Sequence, residues 1–522
     1  MSYKYGHYVG SLIPDDLLNK CSVLYSNHYG VWSRQSPTNP GERISLSPAK
    51  IKEWIISNYS VIVYAELNDE IIGYAIAIQK KTNKHRVISW VTQLVVHSEH
   101  RHKDIGKTLL FSIWGFSNQY AWGLTTASPY AVRALEKATR RRCLPPRIKK
   151  NKILLKNVGV ECVPYVRSEQ DIVIDDHASK INTEFYVDRS EMSEMLENVM
   201  TIENPWLLGS LEEGWEWFAF TFHDQSQISL TPQEVSIMLD ASDQITKKAY
   251  SRMLMDSSHH KWAQYTKEEV AYIIRYCNLK KDNRILDLGC GNGRHAFKLA
   301  ELGYEVTGID YIEEFINEAV IEAEKLSINK ISFKVGDCRE LDLDMKYDAV
   351  ICLYDVVGTY SDNNENLKIL YNIKKHLRDG GYALISVMNL DLTLHNAKHR
   401  FRIQSEPDKL LELPASNIME KTGDIFNPEY YMIDTDTKVV YRKEQFKEGY
   451  SLPVELIVRD RRYLKEDIER MCENVGLEVV WTKFVRAGNW DEDLDRHNER
   501  AKEILVLCRG RGGNGGWQPN LL

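Results

Sequence analysis

The chain has 522 residues, of which 43% are apolar and 27% are charged, and its formal net charge is −7 at pH 7. This length exceeds one ordinary core and indicates about three folded domains. The acidic balance argues against a protein that coats nucleic acid. The sequence shows neither a signal-like N-terminus nor an apolar run of about 20 residues, so we expect no membrane segment. Nine cysteines without metal-ligand spacing predict a reduced, cytoplasmic protein without a metal site.

Three predicted strands open the N-terminal half. Residues 61–66 and 71–78 are apolar runs separated by a polar turn at 67–70, and a third run covers about 87–97. A basic, glycine-containing turn follows at 98–107 and leads into an apolar helix. Such a turn at a helix N-terminus binds a pyrophosphate through backbone N–H groups and the helix dipole.

This order of elements resembles the GCN5-related N-acetyltransferase (GNAT) family over about residues 50–165. The family's acetyl-CoA loop reads Arg/Gln-x-x-Gly-x-Gly/Ala, and Arg101, Asp104 and Gly106 stand at its positions. Asp104 replaces the first glycine and brings a carboxylate near a diphosphate, for which Lys103 and Lys107 can compensate. The resemblance implies an α+β domain whose acetyl-CoA contacts are Leu94, Val95, Val96, Arg101, His102, Lys103, Asp104, Ile105, Gly106 and Lys107.

The catalytic groups of this domain remain open at the level of sequence. Many family members use a tyrosine to protonate the departing thiolate, and Leu135 stands at that position here. Water or another group can replace the tyrosine, because a thiolate is a good leaving group. Glu99 is the predicted base for the amine, with His97 and His100 as alternatives beside the loop. A solvated loop position is the competing interpretation for each of the three.

Two further N-terminal features have several interpretations. The run Arg140–Arg142, followed by Arg147, Lys149, Lys150 and Lys152, can bind the 3′-phosphate of CoA, guide an anionic substrate, or form a solvated face. The aromatic, alternating segment 214–222 predicts a strand whose rings fill a core or stack on a ring-shaped substrate. We interpret 166–249 as an extension of the GNAT-like unit that ends in a helical connector at 231–252.

The most specific motif of the chain lies at residues 284–293. An apolar run ends in Asp287 and then turns through Gly289, Gly291 and Gly293. This pattern is typical of a buried parallel strand that leads into a helix through a loop that approaches a nucleotide closely.

Two later strands end in acidic residues at matching positions. The predicted strand 304–310 ends in Asp310, whose carboxylate can accept both hydroxyls of a ribose. The predicted strand at about 331–335 is followed by Asp337, which can face the exocyclic amine of an adenine. Three such turns in succession are hard to obtain by chance.

Together these motifs resemble a class I S-adenosylmethionine (SAM)-dependent methyltransferase over about residues 250–510. The acidic residue before the glycines distinguishes them from a generic dinucleotide-binding fold. The resemblance implies a Rossmann-like α/β domain with a seven-stranded sheet and SAM as its cofactor. The implied SAM contacts are Asp287, Gly289, Cys290, Gly291, Asn292, Gly293, Asp310, Tyr311, Asp337, Cys338 and Leu353.

The methyl acceptor is expected at the end of the fourth predicted strand, 347–353. Tyr354 and Asp355 follow it and enter the crevice at the carboxyl ends of the strands, so we predict them as catalytic residues. The loop is not Asp/Asn-Pro-Pro-Tyr, and no Pro-Cys pair is present, which disfavours the usual methylations of DNA bases.

An insertion at about 390–455 interrupts the fold before its last strands. We interpret it as a substrate lid, with a structural cap or a dimer contact as the alternative. His395 and His399 in the insertion can remove a proton from an alcohol or ammonium acceptor, although surface or lid roles suit them equally.

The predicted domains are a GNAT-like domain (1–165), its extension (166–249), a methyltransferase domain (250–510) and a flexible tail (511–522). The sequence favours a bifunctional enzyme that uses SAM and acetyl-CoA on a small-molecule or peptide substrate. A methyltransferase with a non-catalytic acyl-CoA- or partner-binding module is the first alternative. An enzyme that modifies RNA or tRNA is the second. The oligomeric state and both acceptors remain open.

Overall fold

A computed structural model describes residues 3–229, 231–253, 260–446 and 454–511, so the predicted tail lies outside it apart from Arg511. Met1–Lys247 and Gln445–Ile457 form one compact unit, and Lys248–Glu444 and Val458–Leu522 form the other. Among the described helices, none combines the length and apolarity needed to cross a bilayer.

One sheet of eight strands forms the centre of the first unit: β1 (Lys4–Val9), β2 (Ser60–Leu67), β3 (Glu70–Lys81), β4 (Val87–Val96), β5 (Ala121–Thr126), β6 (Ile172–Ile174), β7 (Ser179–Asn182) and β8 (Trp215–Phe222). The spatial order is β1-β2-β3-β4-β5-β8-β7-β6. β4 and β5 run parallel to each other, and the other neighbouring pairs are antiparallel. The predicted strands at 61–66, 71–78 and 87–97 are confirmed.

The helices of the first unit are α1 (Asp15–His28), α2 (Pro48–Trp54), α3 (Ile105–Trp114), α4 (Pro129–Thr139), α5 (Pro145–Cys162), α6 (Met192–Val199) and α7 (Pro232–Met253), the last of which continues into the second unit. α1 and α3 pack on opposite faces of the sheet. A side chain at Gly73 would meet Leu109 of α3, whereas the neighbouring Tyr74 packs in one core with Leu17 of α1. Successive residues of a strand point to opposite faces, so α3 and α1 lie on different faces of the sheet.

The parallel strands β4 and β5 separate towards their carboxyl ends. Their pairing runs from Ile88 to Val91 on β4, although β4 continues to Val96 and β5 continues to Thr126. A bulge also interrupts the β3–β4 register, between Ile76 and Ala77. The end of β4, which carries the predicted contacts Leu94, Val95 and Val96, therefore has one edge directed into the gap between the strands.

The strands that lie wholly or partly in the second unit are β9 (Arg284–Leu288), β10 (Glu305–Asp310), β11 (Ile331–Val335), β12 (Tyr347–Cys352), β13 (Leu377–Met388), β14 (His399–Phe401), β15 (Ala415–Ser416), β16 (Tyr431–Asp434), β17 (Val439–Phe446), β18 (Val454–Arg461), β19 (Leu477–Val485) and β20 (Glu503–Gly510). Seven of them form the main sheet in the order β11-β10-β9-β12-β13-β20-β19. The first five are parallel, and β20 is antiparallel to both of its neighbours. The predicted seven-stranded α/β sheet is confirmed.

The helices of this unit are α8 (Thr266–Tyr276), α9 (Arg294–Glu301), α10 (Glu313–Lys325), α11 (Asn363–His376), α12 (Leu390–Asn396), α13 (Lys409–Glu412), α14 (Ile418–Lys421) and α15 (Lys465–Asn474). Strands and helices alternate from β9 to β11 and from β12 to β13, whereas a loop without a helix joins β11 to β12. Each helix returns the chain for the next parallel strand. β9 is a short apolar run whose Ile285, Leu286 and Leu288 are fully buried. A second sheet, β14 to β18, forms the insertion.

Candidate functional site

The loop after β9 passes through three glycines in the left-handed region, with φ of +72°, +56° and +85° at Gly289, Gly291 and Gly293. A Cβ at Gly289 would lie 2.3 Å from Val356, so this position requires glycine. A Cβ at Gly291 would meet no described protein atom within 4 Å. The middle of the loop therefore faces open space that a nucleoside can enter.

Asp287 lies directly before this loop with one carboxylate oxygen unused. The residue is 3% exposed, and no described group hydrogen-bonds to its Oδ2. Burial raises the pKa of this carboxyl to about 7, and the charge of Asp310 adds to the shift. A buried carboxylate oxygen without a hydrogen-bond donor is unfavourable by itself, and a cationic ligand relieves this cost. The ammonium of SAM fits this position.

Asp310 ends β10 and is fixed by the backbone of two loops. Its Oδ2 accepts a hydrogen bond from the N–H of Gly291, and its Oδ1 accepts one from the N–H of Ile312, each at 2.9 Å. A carboxylate oxygen has more than one lone pair, so both oxygens can also accept from a ribose diol. The carboxylate is therefore held at the edge of the glycine loop in an orientation suited to ribose.

Asp337, which follows β11, is paired with Arg339. The Nε of Arg339 lies 3.0 Å from both carboxylate oxygens of Asp337, and its Nη2 lies 2.6 Å from Oδ2. The same guanidinium lies over the ring of Tyr360 at 4.4 Å. An adenine amine at this position would share the Asp337 carboxylate with Arg339. The sequence did not predict this Asp337–Arg339 pair.

The three carboxylates lie at the ends of three neighbouring parallel strands. Leu288, next to Asp287, pairs with Ile309, next to Asp310, and Asp310 pairs with Val335, two residues before Asp337. The register of the sheet therefore brings the three residues to the carboxyl ends of β9, β10 and β11. Burial raises the pKa of Cys338 to about 12, and the charges of Asp310, Asp337 and Asp287 all add to the shift. The other predicted SAM contacts border the same loops: Cys290 and Leu353 are buried, Asn292 is half-buried, and Tyr311 is 40% exposed.

A buried ionic cluster supports the glycine loop. Glu269, on α8, accepts hydrogen bonds from Arg294 Nη1 and His295 Nε2 at 2.8 Å each, and from the hydroxyl of Tyr354. Burial opposes ionisation of Glu269, but the hydrogen bond from His295 and the charge of Arg294 hold its pKa below the usual value. Burial and Arg294 lower the pKa of His295 to about 4, so its ring is neutral at pH 7. The cluster fixes the first turn of α9, which begins directly after the loop.

Glu503, on β20, is a further buried carboxyl near this cluster. It is 4% exposed, and its Oε2 has no hydrogen-bond partner among the described residues. Burial raises its pKa to about 8, and the charge of Glu269 adds to the shift. A ligand that carries positive charge would stabilise the ionised form of this group as well.

Tyr354 and Asp355 occupy strained positions at the end of β12. Both have positive φ, +59° and +54°, which is uncommon for residues other than glycine and is frequent at functional sites. The hydroxyl of Tyr354 is engaged by Glu269. Burial, together with the charge of Asp460, raises the pKa of Asp355 to about 7. Asp355 can therefore be present in both protonation states near neutral pH, as a general base requires.

The insertion contributes a second ionic cluster at this point. Asp460 accepts from the Nε of Arg442 and from the Nε of Arg462, each at 3.0 Å, and Arg442 also pairs with Glu444. The N–H of Arg461, next to Asp460, donates to the carbonyl of Gly358 at 2.7 Å, so the cluster lies near the loop that follows β12. All four charges act on the pKa of Asp355. Arg442 and Glu444 also line a small cavity in the insertion.

The two predicted histidine bases lie in the insertion, on α12 and at the start of β14. His395 is exposed on α12, and its ring stacks on His497 with 4.7 Å between centroids. His399 begins β14, and its Nε2 is buried without a hydrogen-bond partner in the described structure. Their role in proton removal stays a prediction.

In the first unit, Asp104 takes the backbone conformation that a glycine would provide. Its φ is +58°, and it immediately precedes α3. Its carboxylate lies 3.3 Å from the Nζ of Lys107, so the compensating cation expected from the sequence is in place. Gly106, in the first turn of α3, lies close to Val96 of β4 and Ala134 of α4, each 3.8–3.9 Å from where a Cβ would stand.

The rest of the predicted acetyl-CoA loop is held by hydrogen bonds to neighbouring backbone. The Nε of Arg101 donates to the carbonyl of Val96, and its Nη2 donates to the carbonyl of His28. His102 has φ of +60°, and its ring contacts that of Tyr130 at 4.7 Å. Lys103, like Asp104, is exposed, and Ile105 is buried.

Glu99 lies in a short turn, Ser98–His100, and is exposed. His97 accepts from the N–H of Glu99, and its ring lies tilted against that of His28 with 3.8 Å between centroids, which explains its place beside the loop. The structure gives Glu99 no buried surroundings, so its predicted role as the base rests on sequence position alone.

All three interpretations of the run Arg140–Arg142 are wrong for its first two members. Arg140 and Arg141 are 7% and 6% exposed and donate to the carbonyls of Ile228 and His223. Arg142 pairs with the buried Glu136 at 3.0 Å. Guanidinium groups that satisfy internal carbonyls stabilise the fold and leave no free basic patch at this run.

Two parts of the chain match known families, and the predicted recognition of both is confirmed. Residues 279–447 match the family described as "Methyltransferase domain", and residues 29–120 match the "Acetyltransferase (GNAT) family".

The relatives are methyltransferases by name. A "Ubiquinone biosynthesis O-methyltransferase" of Rickettsia typhi is 36% identical over 125 residues, which is 23% of this chain and 48% of that protein. The "Putative methyltransferase YqeM" of Bacillus subtilis is 34% identical over 131 residues, 25% of this chain and 50% of that protein. The chain thus spans about half the length of these relatives. A solved SAM-dependent methyltransferase of Clostridium acetobutylicum matches at 16% identity and a TM-score of 0.36, over 50% of this chain and 96% of that one.

Proposed function

Because the chain carries a methyltransferase domain and a GNAT domain, we propose that it is a bifunctional transferase. Its second unit transfers a methyl group from SAM to a small molecule or peptide, and its first unit transfers an acetyl group from acetyl-CoA to an amine. The observation that carries the proposed methyl transfer is the buried Oδ2 of Asp287, which has no hydrogen-bond partner among the described residues, beside the open space at Gly291.

In the methyltransferase unit each residue has a separate task. SAM supplies an activated methyl group on a positively charged sulfur. Asp287 binds its ammonium, Asp310 binds the ribose hydroxyls, and the cluster around Glu269 keeps the loop in place. The protein has then to align the acceptor and to exclude water.

Asp355 is the base we favour for the acceptor. A carboxyl with a pKa of about 7 takes up a proton readily at neutral pH, which suits an acceptor that must lose one, such as a hydroxyl or an ammonium. The O-methyltransferase names among the relatives support an oxygen acceptor. Arg442 and Asp460, next to Asp355, would then contribute to acceptor selectivity.

Replacing Asp355 by Asn should lower kcat for methyl transfer by about 100-fold, the lower range for loss of a general base. The affinity for SAM should change by less than about threefold, because Asp355 is not among the proposed SAM contacts. Release of adenosylhomocysteine in cell extract reports kcat, and calorimetry reports the affinity. Asp379→Asn, at an exposed position, is the matched control. An unchanged kcat in Asp355→Asn would exclude this residue as the base.

For the GNAT unit, the separation of β4 from β5 and the turn before α3 support acetyl-CoA binding. A non-catalytic acyl-CoA-binding module is the second candidate, since Leu135 is fully buried and has no proton to give to a thiolate. Incubation of the purified chain with radiolabelled acetyl-CoA and a panel of amines distinguishes a catalytic GNAT unit from a non-catalytic binding module. Transfer of label to an amine supports catalysis, whereas binding without transfer supports the module.

Replacing Asp104 by Gly should raise the affinity for acetyl-CoA by about two- to fivefold. The change removes a partly exposed carboxylate, worth up to about 1 kcal/mol, from the place where the diphosphate binds. Asp69→Gly is the matched control, because Asp69 has φ of +65° but lies in the β2–β3 turn. Equal affinities in calorimetry for Asp104→Gly and the unmodified protein would contradict the placement of the diphosphate.

Untargeted metabolite profiling of cells with and without the protein tests the bifunctional proposal as a whole. Loss of a compound that carries both a methyl and an acetyl group is the expected result. Loss of methylated compounds alone would assign the GNAT unit a binding role.

A further inference from the structure

We propose that Glu216 and the tyrosines around it form the amine-acceptor site of the first unit. The carboxylate binds the cationic amine and takes its proton, and the aromatic rings enclose its carbon chain. This inference rests on the proposed acetyl transfer and identifies its substrate class as a primary amine with an apolar or aromatic body.

The first support is the position of Glu216 in the sheet. β8 pairs with β5 up to Trp217 opposite Thr126, so Glu216 lies one residue beyond the carboxyl end of β5. This is the end at which β5 has separated from β4. A group that enters the gap from the loop before α3 therefore emerges next to Glu216.

The second support is the face on which its side chain lies. Glu216 has the same strand parity as Phe218 and Phe220, and both of these rings contact Trp90. Trp90 packs against Gly159 of α5, which assigns this face to α5. Trp90 pairs with Ile78, which has the same strand parity as Tyr74 on the α1 face, so the proposed acceptor site lies on the face opposite to α3. The gap between β4 and β5 connects this face to the acetyl-CoA loop before α3.

The third support is the set of groups around the carboxylate. Oε2 of Glu216 accepts a hydrogen bond from the hydroxyl of Thr183 at 2.7 Å. Tyr25 of α1 and Tyr29, directly after α1, stack on each other with 4.2 Å between centroids, and the charge of Glu216 acts on both hydroxyls and on that of Tyr165. Oxygen atoms and aromatic rings around one carboxylate are the surroundings that an alkylammonium group prefers.

The carboxylate lacks a cationic partner of its own. In the described chain Glu216 is 6% exposed and forms no salt bridge, although the charge of Arg189 reaches it. Burial raises the pKa of Glu216 to about 7. Such a group binds a cation when ionised and holds a proton after accepting one, and both properties are needed in this reaction.

The chemical step is balanced by two proton transfers. The bound ammonium gives one proton to Glu216, and the neutral nitrogen attacks the acetyl carbonyl carbon. A C–N bond forms, the C–S bond breaks, and the sulfur leaves with the electron pair. The second proton of the nitrogen goes to the departing thiolate through water, which yields the amide and free CoA, and Glu216 returns its proton to solvent.

The test compares Glu216→Gln with the unmodified full-length protein on three probes: tyramine, spermidine and glucosamine. Two quantities are measured: acetylation from labelled acetyl-CoA, and binding of each amine to protein saturated with CoA, which has no acetyl group to transfer. We expect kcat/KM to fall at least 100-fold and amine affinity at least 10-fold. The Kd for acetyl-CoA should stay within about twofold, which also verifies folding. Glu213→Gln, at an exposed neighbouring position, should match the unmodified protein.

Glu216→Asp keeps the charge and serves as a second variant if the amide variant does not fold. It should retain amine binding and lose acetylation rate. Binding of an amine that depends on Glu216 without any acetylation would leave the site standing and refute acetyl transfer as its function. Unchanged acetylation or amine binding in Glu216→Gln, or no binding of any probe, would overturn the site.

Discussion

Replacing Asp287 by Asn should weaken binding of adenosylhomocysteine by about 2–5 kcal/mol, or roughly 30- to 4,000-fold in Kd. The variant removes the negative charge that we assign to the ligand ammonium but keeps the size of the side chain. Because the free protein holds this carboxyl with a pKa raised to about 7, the amide should not destabilise the fold. Calorimetry measures the affinity, and thermal unfolding without ligand measures the stability.

Asp344→Asn is the control for this comparison, since Asp344 is an exposed residue between β11 and β12. Its Kd should equal that of the unmodified protein. If Asp287→Asn bound adenosylhomocysteine with unchanged affinity, the ammonium would have another partner, and the assignment of this loop would be wrong.

Replacing Asp460 by Ala should destabilise the second unit by about 3–5 kcal/mol. Asp460 is 3% exposed, and each of its oxygens accepts from a buried guanidinium, that of Arg442 or that of Arg462. Removal leaves two buried cations short of a counter-charge, which costs far more than the loss of an exposed ion pair. The melting temperature of this unit should fall by roughly 6–20 °C in calorimetry.

Asp436→Ala is the matched control in the same sheet. Asp436 is exposed and lies 3.6 Å from Arg402, so its loss should change the stability by less than about 1 kcal/mol. An equally small effect for Asp460→Ala would show that Arg442 and Arg462 find other partners, and the ionic cluster would have no role in holding the insertion.

The sheet of the second unit could be predicted because its signals are local. The strands at 284–288, 304–310 and 331–335 are short apolar runs, and each ends in a polar or glycine turn within a few residues. Asp287 and Asp310 could be singled out as candidates for the same reason, since a parallel sheet brings the carboxyl ends of its strands together.

The buried clusters could not be predicted because their members are far apart in sequence. Glu269 meets Arg294 across 25 positions and Tyr354 across 85. Nothing in the local pattern of α8 marks Glu269 as buried, apart from its place on an otherwise apolar helix face. Glu216 was overlooked for a related reason, because the aromatic residues on both sides of it indicate a core strand.

The local pattern of the run Arg140–Arg142 predicted the wrong surroundings for Arg140 and Arg141. A dense basic run usually lies in solvent or binds an anion, and these were the predicted roles of the run. The chain instead turns at Arg140, which has φ of +57° and ends α4, and the guanidinium groups of Arg140 and Arg141 satisfy carbonyls of the loop after β8. Only the tertiary fold brings that loop to the arginines.

Calorimetric titration of the unmodified protein with adenosylhomocysteine at pH 8 and pH 6 tests most directly whether the loop after β9 binds the cofactor. We expect micromolar binding at pH 8 and about tenfold weaker binding at pH 6, because Asp287, with a pKa near 7, must release its proton to bind the ammonium. Proton release should also appear as a dependence of the heat on the buffer. Absence of heat at both pH values, or an affinity that does not change with pH, would contradict the assignment.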